Sequence, residues 1–423
     1  MELFWIFAAI SGLGLVGYAM QILAIRRHLA GQENRQGSQA AHRDPDSSAS
    51  REFTGPISVL KPLKGLDDNL FDNLESFCLQ DYPQYEIIFC LQDRNDPARK
   101  VAAKVQERHP DRDISIVVED CQIGLNPKVN NLLPAYRRAK HPYILISDSN
   151  VRVGPDYLRA VIEPMRNPAV GLVSNPIRGV GGRSLGAIFE NLHLNSFIMG
   201  SICFLDRFLR MPCVVGKSML MRRIDLEAAG GLFAVRNVLA EDYVLGRKIH
   251  SMGLKVVLSE YPIDNVNYYW SLRRFVNRHT RWGKMRWCIG GFRYLFELLS
   301  NSVFVSWLSL LFWGPTSCTV ALAGGVSVIK IAGDYLLARR ISAGIPSWHF
   351  LFSPLKDLLV GILWFAPLLS RSVTWRGNRF RIGPDSLLEP WRGRPLAQGL
   401  HGFPDVQRSP AVCEGRAPVG SLQ

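Results

Sequence analysis

Three aspartates stand where an α/β protein does its chemistry: Asp93 in QDRNDPA, Asp148 in ILISDSNVRV and Asp242 in VLAEDYVLGRKI. Asp93 and Asp148 follow the apolar runs 85–91 and 143–147. They therefore fall at the carboxyl ends of expected strands, the edge where open α/β sheets bind ligands. Asp148 with the amide oxygen of Asn150 offers hard oxygen donors of the kind that take Mg²⁺ or Mn²⁺, and such a cation could balance the charge of a phosphate. Asp242 opens an expected helix, and a carboxylate there could take the proton of an attacking hydroxyl. Arg278 and Arg281 lie three apart and share a helix face. Their guanidinium forks suit phosphate oxygens, and Trp282 stands beside them.

Each residue alone has a plainer reading. An aspartate after a strand usually caps a turn. The pair Glu241-Asp242 complements the positive end of a helix dipole, and a basic helix can simply lie on a membrane. Lys128, opening the helix in GLNPKVNNL, could reach a phosphate or could be structural. Lys61, after the first strand, reads as a solvated lysine. His193, on an apolar helical stretch, reads as structural, and Cys213 in CVVGKSMLMRR as a small buried residue.

The elements that must position these groups show as a pattern. Apolar runs at 57–60, 85–91, 114–118, 143–147 and 170–174 alternate with helical stretches at 68–78, 97–108, 127–139 and 155–165. That alternation predicts a mostly parallel sheet covered by helices on both faces. Outside it the chain is apolar. Residues 3–25 carry no charge, long enough to cross a bilayer. The basic pair Arg26-Arg27 follows, which places the next domain in the cytoplasm. Two further apolar zones, 303–333 and 358–369, flank the middle on the other side. The first is one tilted helix or two helices broken at Gly314-Pro315. The net charge is +14, but many of the arginines sit beside the apolar zones. They point to anionic lipid rather than to nucleic acid. The eight cysteines form no CxxC pair, which argues against a structural zinc site and gives no disulfide framework.

QDRNDPA, GLNPKVNNL, SDSNVRV, VGKSMLMRR, AAGGL, LAEDY and RHTRW follow one another between Gln92 and Trp282. As a set they resemble the ceramide glucosyltransferases and their bacterial relatives, some of which glycosylate hopanoids. The resemblance implies an inverting membrane enzyme: an α/β GT-A (nucleotide-diphospho-sugar transferase) domain with N- and C-terminal transmembrane helices. It implies that Asp93 and Asp148 serve the nucleotide sugar and its divalent cation (Mg or Mn), with Lys128 and Cys213 beside the donor. It makes Asp242 the catalytic base, with Arg278, Arg281 and Trp282 as the Arg/Gln-x-x-Arg-Trp box. The expected layout is an anchor at 1–28, a flexible linker at 29–52, a GT-A domain at 53–287, a membrane region at 288–372 and a basic, partly disordered tail at 373–423. The expected partners are a UDP-sugar donor, a lipid acceptor (ceramide, or a hopanoid with UDP-N-acetylglucosamine) and the membrane, with the catalytic domain facing the cytoplasm. A processive polysaccharide synthase would need a channel built from more spans. A non-catalytic scaffold would not need all three aspartates.

Overall fold

The structure, a computed structural model, describes residues 2–41, 53–375 and 377–391. The α/β domain is built on a seven-stranded sheet, β1 (Ile57–Pro62), β2 (Tyr85–Leu91), β3 (Ile114–Val118), β4 (Tyr143–Ser147), β6 (Val170–Ser174), β8 (Ser218–Arg222) and β9 (Lys255–Leu258), ordered β3-β2-β1-β4-β8-β6-β9. Strands β3, β2, β1 and β4 are parallel, and β8 runs against both β4 and β6. A second sheet of β5 (Val151–Arg152), β7 (Ile177–Gly181) and β10 (Ile263–Asn267) follows the end of β4. This is the expected α/β GT-A domain.

Both sheet faces are buried, which is why the strands read as unbroken apolar runs. Alternate side chains divide between two cores. Ile87, Phe89, Leu91 and Leu145 join the core under the helices Leu70–Cys78, Ala98–Arg108 and Tyr157–Ile162. Ile88, Cys90, Ile144 and Ile146 join the opposite core under Pro127–Arg138 and Glu241–Ser251. With β4 clamped on both faces, its end delivers Asp148 in a fixed direction.

Among the described residues four helices are long and apolar enough to cross a membrane: Phe4–Ala30, Leu185–Leu209, Ser317–Arg340 and Ser347–Leu369. Trp5, Leu13, Val328, Leu336, Leu351 and Leu369 are large apolar side chains standing exposed on three of them, and such surface needs lipid against it. Leu185–Leu209 differs: 67% of its apolar window is buried inside the protein, so it packs as an internal helix. Gly314, at φ 72°, breaks the 303–333 zone, and Thr316 and Thr319 form a capping box that starts the second helix. The first piece, Ser302–Trp313, rises only ~18 Å at 1.5 Å per residue and cannot span ~30 Å of hydrocarbon alone.

Two segments differ from the sequence expectation. The helix that starts at Glu2 runs on to Ala41, so the stretch expected as a linker begins helical. Gln, Glu, Arg and Ala in that stretch all favour a helix. Residues 42–52 lie outside the described residues, as do Arg376 and the tail from Arg392. At the other end β11 (Ser372–Trp375), β12 (Asn378–Ile382) and β13 (Leu388–Pro390) form an antiparallel sheet where a tail was expected. Phe380, Ile382 and Leu388 are buried with Leu239 of the catalytic domain. The chain leaving the last membrane helix therefore returns to the side on which the catalytic domain lies.

Candidate active site

Asn126 caps the helix Pro127–Arg138: its side chain accepts from Lys128 N and Val129 N (2.8 and 3.1 Å), and Pro127 holds the first position. This fixes Lys128 in the first turn, facing the end of β4. Its buried ammonium meets Asp148 Oδ1 at 3.0 Å, Glu241 Oε1 at 2.9 Å and the Gly216 carbonyl at 2.8 Å. Three acceptors use all three of its N–H bonds. Lys217 Nζ meets the other oxygen of Asp148 at 2.9 Å and Asn150 Oδ1 at 2.7 Å.

The charges shift one another. Burial alone would raise the Asp148 carboxyl, yet Lys128 and Lys217 hold it far below the usual carboxylate range. Burial opposes the charge on Lys128, and Asp148 and Glu241 more than offset it, so that ammonium is held above its ordinary value. At Lys217 burial prevails over Asp148 and lowers it.

Asp242 lies in the first turn of Glu241–Ser251. Its Oδ2 accepts from Gly216 N at 2.7 Å and its Oδ1 from Tyr243 N at 2.8 Å. Burial first, and then the neighbouring Glu241, push its carboxyl up to about 6. A base of that strength is ionised at neutral pH yet basic enough to draw a proton from a hydroxyl in the transition state. Gly216 is required for this contact, because a Cβ there would stand 2.6 Å from Asp242 Oδ2. Gly216→Ala is expected to displace the carboxylate and lower turnover about 100-fold, a cost typical of an ångström of misplacement. Far-UV circular dichroism and the thermal midpoint should stay near wild type while initial rates fall.

The helix Leu272–Gly290 carries the arginine box. Ser271 caps it, its Oγ accepting from Arg274 N at 3.2 Å. Arg278 and Arg281 are on this one helix but have different partners. Arg278 is buried, pairs with Glu190 Oε1 at 3.0 Å and lies over the rings of Trp270 and Trp282 (5.0 and 4.2 Å). Arg281 is half-buried and lies over Trp375 of the C-terminal sheet at 5.8 Å. Trp282 packs against the core below the strands.

Asp93 is exposed at the end of β2, where it accepts from Asn95 N at 2.8 Å in its own turn. Cys213 is half-buried in the loop before β8, and burial pushes its thiol up to about 12, so it is no nucleophile near pH 7. Lys61, expected in solvent, is instead fully buried: its ammonium donates to the Asp148 carbonyl at 3.0 Å and lies 3.5 Å from the Phe77 ring centre. It braces the turn that holds Asp148, and burial drives its own charge affinity well down.

Several positioning groups carry no local sequence signal. The carboxylate of Asp67 accepts from Ser149 Oγ at 2.6 Å and meets Arg274 at 3.4 Å, while Asp68 accepts from Tyr268 N and Tyr269 N. Together they tie the turn after β4 to the start of the box helix. Ser386, on the connection from β12 to β13, accepts from Leu239 N with its carbonyl (2.9 Å) and from Ala240 N with its Oγ (3.2 Å). Leu388 N donates to the Asn237 carbonyl at 2.7 Å. The C-terminal sheet thus grips the loop that ends at Glu241-Asp242. Their only hint in sequence is a run of alternating apolar residues past the last membrane segment.

Among the described residues no three His, Cys, Asp or Glu side chains come together as a cation cage. The donors at hand are one carboxylate, Asp148, and one amide oxygen, Asn150, both engaged by lysines. That set fits a cation shared with a substrate's phosphates, the usual manner for Mg²⁺. It does not fit one held by protein alone.

The model of glycosyl transferase family 21 matches residues 7–388. Ceramide glucosyltransferase 1 of Caenorhabditis elegans is 29% identical over 357 residues, covering 80% of this chain and 72% of its own length. Ceramide glucosyltransferase of Gibberella zeae is 31% identical over 182 residues, 41% of this chain and 33% of its own. Among solved structures, the mannosyltransferase PcManGT of Pyrobaculum calidifontis, in complex with GDP-Man and Mn²⁺, is 16% identical with a TM-score of 0.45, covering 85% of this chain and 99% of that one.

Proposed function

The chain belongs to glycosyltransferase family 21, and from that premise we propose that it transfers a hexose from a UDP-sugar to a hydroxyl of a membrane lipid, in the manner of its ceramide glucosyltransferase relatives, with UDP-glucose as donor and ceramide as acceptor. The observation that carries this reading is Asp242. It is a single carboxylate raised to about 6 and aimed by two backbone N–H groups beside a cluster of lysines.

In this reading Asp242 takes the proton of the acceptor hydroxyl as it attacks the anomeric carbon from the face opposite the diphosphate. The configuration inverts, and no protein acid is needed because the diphosphate leaves as an anion. Lys217 and Arg281 would supply positive charge to that anion, while Lys128 and Lys61 hold Asp148 in place. Asp93 serves the nucleotide, and Cys213 lines the donor side as a neutral thiol. Arg278, pinned between Trp270 and Trp282, sets the box helix against Glu190. A divalent cation held by Asp148 and Asn150 would supply charge neutralisation of the diphosphate.

Membranes containing the chain, given labelled UDP-glucose and ceramide, are expected to yield a β-linked glucosylceramide. Absence of any labelled lipid, with UDP-N-acetylglucosamine and a polyol hopanoid tried as well, would overturn the reading. Asn150→Asp is expected to lower the cation concentration for half-maximal activity about tenfold, since a carboxylate replaces an amide oxygen. Asn265 Nδ2, which has no partner among the described residues, can turn to meet it. A titration of chelated enzyme with Mn²⁺ reads this directly.

A further inference from the structure

A cavity of about 70 Å³ opens between the membrane helices on the flank of the box helix, and Tyr18, His193, His279, Lys330, Asp357 and Trp364 line it. It is separate from the lysine cluster around Asp148, but it shares a wall with the box. His279 Nε2–H donates to Glu190 Oε2 at 2.8 Å, and the other oxygen of Glu190 holds Arg278.

Three features mark the cavity as a built site. First, His193 is 2% exposed and neither ring nitrogen meets a hydrogen-bonding partner among the described residues. The ring is held in place by Phe197, stacked at 5.1 Å, and by His279, edge-on at 4.6 Å. Second, a chain of charges runs through the bundle. Tyr18 Oη donates to Asp334 at 2.6 Å, Lys330 pairs with Asp334, and Lys330 stands 3.8 Å from Asp357 Oδ2. Asp357 Oδ1 pairs with Lys356, while its Oδ2 accepts no hydrogen bond among the described residues. Ionisable groups within a membrane bundle are costly and mark places where ligands are handled, and an unmet buried acceptor costs ~1–3 kcal/mol. Third, the charges on the lining balance: Arg286 and Lys330 against Glu297 and Asp357, with Arg286 and Glu297 paired at 2.9 Å. Leu15, Phe197, Val303, Val360 and Leu363 complete the walls with apolar surface.

We infer that this cavity holds the polar head of the acceptor lipid, and that it selects an uncharged head bearing more than one hydrogen-bond donor, hydroxyl or amide N–H. The inference rests on the proposed lipid acceptor. A balanced lining gives no net attraction to a phosphate-bearing head. The open Asp357 oxygen and a His193 nitrogen are acceptors that such donors would satisfy. A diacylglycerol, with a single hydroxyl donor, could meet only one of them.

The test is direct binding of a fluorescent ceramide to the purified full-length protein in detergent micelles, beside a matching diacylglycerol, for wild type, His193→Phe and Asp357→Asn. His193→Phe breaks no hydrogen bond within the fold, so it guards against loss of structure in Asp357→Asn. Ceramide binding is expected to exceed diacylglycerol binding, and to weaken about tenfold in His193→Phe, with UDP affinity unchanged. Equal binding of the two lipids, unaltered ceramide binding in His193→Phe, or parallel losses of lipid and UDP would overturn the inference. Binding needs no turnover, so a wild type that binds ceramide through these residues but forms no glycolipid would count against the proposed reaction and leave the site standing.

Discussion

Asp242→Asn is expected to lower sugar transfer by about 10²–10⁴-fold, the worth of a general base, while UDP-sugar affinity stays within a few-fold of wild type. An asparagine fits the same space, and its oxygen still accepts from one of the two N–H groups that aim the carboxylate. The pH profile of the wild type carries a second signature. The free enzyme's kcat/KM should rise as Asp242 ionises, level above about 6, and fall tenfold for each pH unit below it. In Asp242→Asn that limb should vanish. Stability runs the other way. The carboxyl titrates near 6 when folded and near its ordinary value of 3.8 when unfolded, so between those values the folded state keeps a proton the unfolded state has lost. Stability is then greatest below the unfolded value, declines as pH rises through this window and is lowest above 6. The asparagine variant escapes that decline, so at pH 7 its thermal midpoint should not fall much below wild type. Near-normal turnover would remove Asp242 from the base role, and a collapsed midpoint would mean that its two backbone contacts matter more than its charge.

The contrast between what the sequence told and what it hid follows from how far each signal reaches. Strands β1 to β4 and β6 sit where the apolar runs put them, because strands buried on both faces leave an unbroken mark in the chain. Asp148 and Asp242 were legible as strand-end and helix-start carboxylates with the right neighbours in order. Lys61 was not. A lysine beside a proline after a strand reads as solvated, and only the packing of Phe77 and the Asp148 carbonyl around its ammonium makes burial tolerable. Lys217, inside the VGKSMLMRR motif, carries no local signal for the same reason: its partners Asp148 and Asn150 lie about seventy positions away and leave no periodic trace. The internal helix Leu185–Leu209 was masked by its apolarity. Composition cannot tell a helix covered by protein from one covered by lipid, and only the packing against the anchor and box helices decides it.

Ending the chain after Ser370 is expected to abolish transfer, by at least about 100-fold, although every membrane helix and the whole seven-stranded sheet remain. The sheet of β11, β12 and β13 comes from beyond the last membrane segment, yet it holds the loop before Asp242 through Leu239, Ala240 and Asn237. It also holds the box helix, where Lys284 Nζ donates to the Ser372 carbonyl at 2.7 Å and Arg281 lies over Trp375. Without it Leu239 loses the apolar cluster that buries it, and water reaches Asp242. Loss of burial lowers a carboxyl, so any residual activity should show its acidic limb moved down from about 6 toward the ordinary carboxylate range. Simple loss of folded enzyme would leave the limb in place. Phe380→Ala, which hollows this small cluster at a cost of about 3–5 kcal/mol, should act like the truncation in part. Ser386→Gly separates the contacts. Ser386 sits at φ 59°, a conformation glycine adopts freely. The variant gives up only the Oγ bond to Ala240 and keeps the carbonyl bond to Leu239, so its rate should stay within a few-fold of wild type. If Ser386→Gly were as damaging as truncation, the hydroxyl itself, and not the strand pairing, would be what sets the base. If the truncated chain kept its rate and its limb, Asp242 would be positioned by the Gly216 contact and the lysine cluster alone. In the proposed reading, then, Asp242 and the helix carrying Arg278 and Arg281 are both held by chain that follows the last membrane-length helix, so the active site depends on that chain returning to the catalytic domain.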